Sequence, residues 1–145
     1  MYKRILLPTD GSEASARAIQ AGVGFARELG AEVVGMTATP PFRIFSTDPR
    51  MLEDTPERYA ADAAARARQL LDPIEAAARA AGLSCRLEQV ESDQPWQAII
   101  DTAQRLGCDL VVMASHGRHG LSGLLLGSQT QKVLVHSAIP VLVHR

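Results

Sequence analysis

The sequence is poor in the features that mark specialised protein classes. Only 4% of its 145 residues are aromatic, and only two are cysteines. Cys85 and Cys108 stand far apart, with no CxxC and no histidine at ligand spacing. That excludes a disulfide framework and a zinc site, and leaves two buried thiols as the expectation. Neither sign of charge is in excess, since 15 Lys and Arg face 16 Asp and Glu for a formal net charge of −1. Modules that recruit nucleic acid carry a large basic surplus, so no nucleic-acid partner is expected and any phosphate must be held by local groups. Long apolar runs are missing as well. Leu110–Ala114 falls far short of the ~20 residues of a membrane span, and Met1–Arg4 opens onto too short a run for a signal peptide. The expectation is one domain over residues 1–145, cytoplasmic and without a membrane partner.

What the chain does have is alanine, at 22 positions, half of them between Ala60 and Ala81. Alanine there is helix-forming filler, so the bulky core must come from elsewhere. Lys3–Leu7 reads as a strand ended by Pro8. Asp10 or Ser12 can then cap a helix carrying Ile19, Val23, Ala26 and Leu29 at helical spacing, stopped by a left-handed Gly30. Ala31–Ala38 reads as a second strand, and the proline-rich stretch from Pro40 to about Thr55 as a loop. Pro56–Ala81 is helical, with Pro73 expected to kink it or split it after Asp72. Ser84–Val90 is a third strand, followed by a helix from Pro95 to a stop at Gly107. Asp109–Ala114, Ser128–Val135 and Ile139–Val143 read as strand, helix and strand. The alternation predicts an α/β fold, a three-layer, open, doubly wound parallel five-stranded sheet.

In such sheets ligands sit at the carboxyl ends of the strands. Pro8-Thr9-Asp10, Thr37-Ala38-Thr39 and the loop from Ala114 to Ser128 occupy those ends. The loop has glycines at 117, 120, 123 and 127, which permit left-handed turns and close approach of backbone amides to an anion. Ser128 and Gln131 have capping-box spacing, which aims a helix N-terminus at the loop, and a phosphate suits that position. His116, Arg118 and His119 add local charge, and the Ser128 and Thr130 hydroxyls can donate. The loop matches neither GxxxxGK[ST] nor GxGxxG. On spacing alone, a phosphate site and a plain strand-to-helix connection both fit. Asp10 likewise fits a ligand contact or a helix cap. No nucleophile–base arrangement is visible. His136 and His144 read as structural or surface residues, and Trp96, Ile99 and Ile100 as core. Arg58, Arg66, Arg68 and Arg79 read as a solvated helix face.

Four segments in order, Lys3-Arg4-Ile5-Leu6-Leu7-Pro8-Thr9-Asp10-Gly11-Ser12, Ala114-Ser115-His116-Gly117, Leu125-Leu126-Gly127-Ser128 and Pro140-Val141-Leu142-Val143, resemble the universal stress protein family along the whole chain. Its ATP-binding branch is marked by Gly-x2-Gly-x9-Gly-Ser/Thr, and this chain has Ala114-x2-Gly117-x9-Gly127-Ser128. The resemblance implies strand order 3-2-1-4-5 and ATP, with Mg2+ or Mn2+, as ligand. Pro8, Thr9 and Asp10 would take the adenosine side or the nucleotide's cation, and the Ala38 backbone would meet adenine. Ala114, Ser115 and His116 would lead into Gly117, Arg118, His119 and Gly120, which would wrap the phosphates. Gly127, Ser128, Gln129 and Thr130 would hold the terminal phosphate. Alanine at position 114 would weaken binding or leave it unchanged. The implied function is a nucleotide-dependent sensor or binding module of the stress response, with at most slow ATP hydrolysis. A nucleotide-independent dimeric scaffold is the competing class. Either branch implies a homodimer, for which the last strand, Val141–Val143, offers an edge.

Overall fold

The structure is a computed structural model that describes residues 1–43, 54–117 and 126–145. In chain order the elements are β1 (Arg4–Pro8), α1 (Glu13–Leu29), β2 (Glu32–Thr39), α2 (Pro56–Ala80), β3 (Cys85–Glu91), α3 (Pro95–Arg105), β4 (Leu110–Ala114), α4 (Ser128–His136) and β5 (Val141–His144). The sheet runs β3-β2-β1-β4-β5 with every neighbouring pair parallel. The chain therefore builds outward from β1 to β3, then returns to the other side of β1 for β4. That reversal opens a crevice above the ends of β1 and β4.

Strand alternation explains why the central strands are continuously apolar. Ile5 and Leu7 face one way and pack with Ile19, Val23 and Ala26 of α1 and Leu71, Ile74 and Ala78 of α2. Leu6 faces the other way and packs with Ala98, Ile99 and Ala103 of α3 and Val133 of α4. β4 divides its side chains in the same manner, Leu110 and Val112 to the first face, Val111 and Met113 to the second. Both faces are covered, so no position on these strands can be polar without a buried partner.

The helix ends follow sequence logic in part. Ser12 is the N-cap of α1 and accepts from the Ser15 N–H, and Gly30 closes the helix with φ 65°. Asp10 is not the cap. Pro73 does not split α2, which runs unbroken for 25 residues. Pro73 and Gln69 both face solvent, so the Gln69 carbonyl deprived of its helical donor can be met by water. Cys108 is buried and its thiol is pushed up to about 11 by that burial, whereas Cys85 is only half-buried, short of the expected fully buried thiol. Residues 44–53, most of the expected proline-rich loop, lie outside the described residues.

Two contacts set the position of this framework. Gly35, in the middle of β2, has no side chain to hold Ile74 off the sheet; a Cβ there would stand 2.9 Å from Ile74 Cδ1 and 3.0 Å from Leu87 Cδ2. A strand glycine of this kind marks close approach of a neighbouring element. At the opposite end of the sheet, the Asp109 carboxylate accepts the Lys3 N–H at 2.9 Å and the Arg4 N–H at 3.0 Å, fastening the start of β1 to the start of β4. Partial burial would raise this carboxyl, but the backbone N–H groups of Arg4 and Lys3 more than offset it and hold it below its ordinary value.

Gly35→Val should overpack the α2 contact and cost roughly 1–3 kcal/mol in denaturant unfolding; an unchanged midpoint would refute the close-approach role. Asp109→Asn should lower stability by about 1 kcal/mol at pH 7. A carboxyl lowered in the folded state stabilises above its unfolded value of about 3.9, and that stabilisation is lost as pH falls through the folded value. The gap between wild type and variant should therefore narrow on acidification below about pH 4. A pH-independent gap would show that the carboxylate charge is not what holds the strands together.

Candidate functional site

A cleft of about 530 Å³ opens where the carboxyl ends of β1, β2 and β4 meet the N-termini of α3 and α4. Its floor is built from backbone. The Thr9 N–H donates to the Met36 carbonyl at 2.9 Å, and the Thr37 hydroxyl donates to the Thr9 carbonyl at the same distance, so the ends of β1 and β2 are tied together below the opening. Asp10 follows directly. Its Oδ1 accepts from the Ser12 N–H at 2.9 Å and from the Ser15 hydroxyl at 2.7 Å, which pins the carboxylate to the first turn of α1.

The end of β4 fixes the other half. The Thr130 hydroxyl donates to the Ala114 carbonyl at 2.9 Å, the Gly127 N–H donates to the Ser115 carbonyl at 2.7 Å, and the Ser115 N–H donates to the His144 carbonyl at 2.9 Å. These bonds hold the start of α4 against the strand end. The first intrahelical bond of α4 runs from the Gln131 N–H to the Gly127 carbonyl, so the N–H groups of Ser128, Gln129 and Thr130 precede it and stand at the helix's positive end. Gly127 is the N-cap. The expected Ser128–Gln131 capping box does not form, because the helix starts one residue earlier than that spacing requires; the Gln131 side-chain amide donates to the Leu126 carbonyl. The Gln129 side-chain carbonyl accepts the Trp96 N–H at 3.0 Å, which joins the N-termini of α3 and α4 on one wall.

The glycines act through space rather than through handedness. Neither Gly117 nor Gly127 has positive φ. A Cβ on Gly117 would overlap the Asp10 Oδ2, and one on Gly127 would stand 3.1 Å from the His116 Cα. Ala114, at the position of the family motif's first glycine, has no positive φ, and its methyl packs with Ala14 and Ala18 of α1.

Pro8, Thr9, Asp10, Ala38, Ala114, His116, Gly117, Gly127, Ser128, Gln129 and Thr130 all line the cleft. Ser115 does not; it is buried, with its hydroxyl 3.1 Å from His116 Nδ1. A serine–histidine pair thus exists where none was expected, but its serine is buried and does not line the cleft. Arg118, His119 and Gly120 lie outside the described residues. The sequence reading missed the α2 wall of Tyr59, Ala63, Arg66, Ala67 and Leu70, and it counted Ile99 as core although Ile99 also borders the cleft. The i, i+4, i+8 spacing of Tyr59, Ala63 and Ala67 was the signal for that wall. Tyr59 is held there by its hydroxyl, which donates to the Pro40 carbonyl at 2.6 Å, and by its ring, 5.5 Å from that of Phe42. Among the described residues no group of three His, Cys, Asp or Glu could hold a metal ion.

Comparison with known proteins agrees with this architecture. A universal stress protein of Thermus aquaticus is 30% identical over the full length of both chains. A solved structure of a Methanocaldococcus jannaschii protein superposes with TM-score 0.82 at 27% identity, covering 99% of this chain and 95% of its own. A universal stress protein solved in complex with cAMP superposes with TM-score 0.72 at 26% identity, covering 99% of this chain and 97% of its own. The universal stress protein family itself matches residues 1–145. With the strand order, the full-length relatives and the family match in agreement, the chain belongs to the universal stress protein family.

Proposed function

We propose that the cleft binds an adenine nucleotide, ATP in the first instance, and that the protein works as a nucleotide-dependent sensor or binding module in the stress response. The observation that carries this reading is the convergence of the α4 N-terminus with two glycines, Gly117 and Gly127, that leave no side chain between backbone and cleft. An anion gains there from unpaired N–H groups and a helix dipole worth about half a charge. In this reading Gly127, Ser128, Gln129 and Thr130 hold the terminal phosphate, and Gly117 with the following residues Arg118, His119 and Gly120 wraps the others. Pro8, Thr9 and Asp10 meet the ribose, and the Ala38 backbone meets adenine. The relative solved with cAMP supports an adenine nucleotide as the ligand class. Mg2+ or Mn2+ would enter as the nucleotide's own counter-ion, since Asp10 offers a single carboxylate.

A binding role is favoured over catalysis by the engagement of the candidate groups. Asp10 Oδ1 is committed to the α1 turn, and the Ser115 hydroxyl is committed to His116. Phosphoryl transfer needs a placed water or base beside the phosphate, so turnover slower than about one per minute is expected. The same protein is proposed to be a homodimer. β5 is an edge strand and Leu142 on it is 39% exposed, an apolar edge that a second copy would cover.

Calorimetric titration with Mg-ATP should give micromolar binding, and Gly117→Val should abolish it, because the new side chain overlaps Asp10 and fills the cleft, while the thermal midpoint reports that the variant is folded. No binding tighter than millimolar by the wild-type protein would overturn the nucleotide reading. Light scattering at micromolar concentration should give twice the chain mass; a monomer there would refute the dimer.

A further inference from the structure

Arg66 differs from the other arginines of its helix. Arg58 pairs with Asp54, Arg68 with Asp72 and Glu75, and Arg79 with Glu75. Among the described residues no carboxylate pairs with Arg66, which instead lines the cleft. Helical spacing puts it there, between Ala63 three residues before it and Leu70 four residues after it, both on the same wall. Leu70 in turn abuts the turn that carries Asp10, since a Cβ on Gly11 would overlap the Leu70 Cδ2. Arg66 is thus mounted about one helical turn from that corner, on the α2 wall of the cleft that the α4 N-terminus also lines.

The charge balance of the cleft gives this placement a consequence. Of the described residues that line it, Arg66 is the only lysine or arginine and Asp10 the only carboxylic acid. A helix terminus supplies about half a positive charge, enough to suit one phosphate group but well short of the several charges on a polyphosphate chain. A guanidinium adds a full charge and a planar fork of donors matched to phosphate oxygens, and it stays protonated at any pH of interest. A guanidinium also stacks on aromatic rings, so the contrast between ATP and adenosine decides which part of the ligand it meets.

We propose that Arg66 makes this cleft discriminate nucleoside polyphosphates from monophosphates and from the free nucleoside, by meeting the phosphate chain from the α2 wall. The inference rests on the adenine-nucleotide reading and adds a specificity-determining residue to it. Arg66 is solvent-exposed, so its replacement should leave the thermal midpoint unchanged and the binding data interpretable.

The test is a set of titrations with ATP, AMP and adenosine on wild type, Arg66→Gln and Arg66→Lys, each at low and high salt. Removing one charge-assisted contact should weaken ATP roughly tenfold in Arg66→Gln and AMP by less, with adenosine unchanged. Arg66→Lys, which keeps the charge but not the fork, should recover part of the ATP affinity, and the salt dependence of ATP binding should fall in Arg66→Gln but not in Arg66→Lys. Equal weakening of ATP and adenosine would mean that Arg66 packs against the base, which overturns the proposal. Unchanged ATP binding in Arg66→Gln would reduce it to a solvated surface residue, also overturning the proposal while the nucleotide reading stands. Failure of the wild-type protein to bind any of the three would overturn both.

Discussion

Two consecutive carbonyls at the end of β4 hold the cleft together. Ala114 gives its carbonyl to the Thr130 hydroxyl and Ser115 gives its carbonyl to the Gly127 N–H. Both donors belong to the start of α4, so that helix end is fastened directly to a central strand. The Ala114 and Thr130 groups are buried, where a lost partner leaves a polar atom without water and costs about 1–3 kcal/mol. A scaffold of this kind aims a helix terminus before any ligand arrives. Preorganised N–H groups gain more from an anion than groups that must first be ordered around it.

Near-neutral charge is consistent with this construction. With 15 basic and 16 acidic residues the chain has little long-range field to draw in a polyanion. The cleft instead offers short-range groups: amides at a helix end, the hydroxyl of Ser128, and an arginine on the α2 wall. Such groups act within a few ångströms and are set by backbone geometry, so they favour a ligand that fits over one that is merely charged. The carboxylate of Asp10 sharpens the effect, because an anion admitted beside it must be compensated by those same contacts or by a cation that it brings along.

The sheet and most of its helices were legible because their signals are local or periodic. Ile5-Leu6-Leu7 and Val111-Val112-Met113 read as strands, and their alternate side chains divide between two cores. Gly30 and Gly107 stop helices with positive φ as their positions predict. Errors arose where a distant group decided the local outcome. The Ser128–Gln131 box was lost because Gly127, fastened by its N–H to the Ser115 carbonyl, stands at the cap position. Pro73 was tolerated because the turn it interrupts faces water, which the residue type alone does not reveal. Within the cleft, strand ends and the glycine positions were visible in sequence, whereas the α2 wall was hidden inside an alanine-rich helix that looked like filler.

That alanine excess is itself part of the site. α2 crosses from the core to the cleft wall within one helix, with Ile74 seated on Gly35 in the sheet and Leu70 against Gly11 one turn higher. Above those contacts, Ala67 and Ala63 turn the same face toward the opening. Larger residues at either position would project into the volume a ligand needs, and larger residues at Gly35 or Gly11 would push the helix outward and widen the gap. Small side chains on the helix and absent ones on the sheet therefore act on the same distance from opposite sides. They bring a wall, and the arginine mounted on it, to the same cleft that the strand ends line. The width of the cleft is thus a packing property, fixed by the same overlap limits that govern the hydrophobic core.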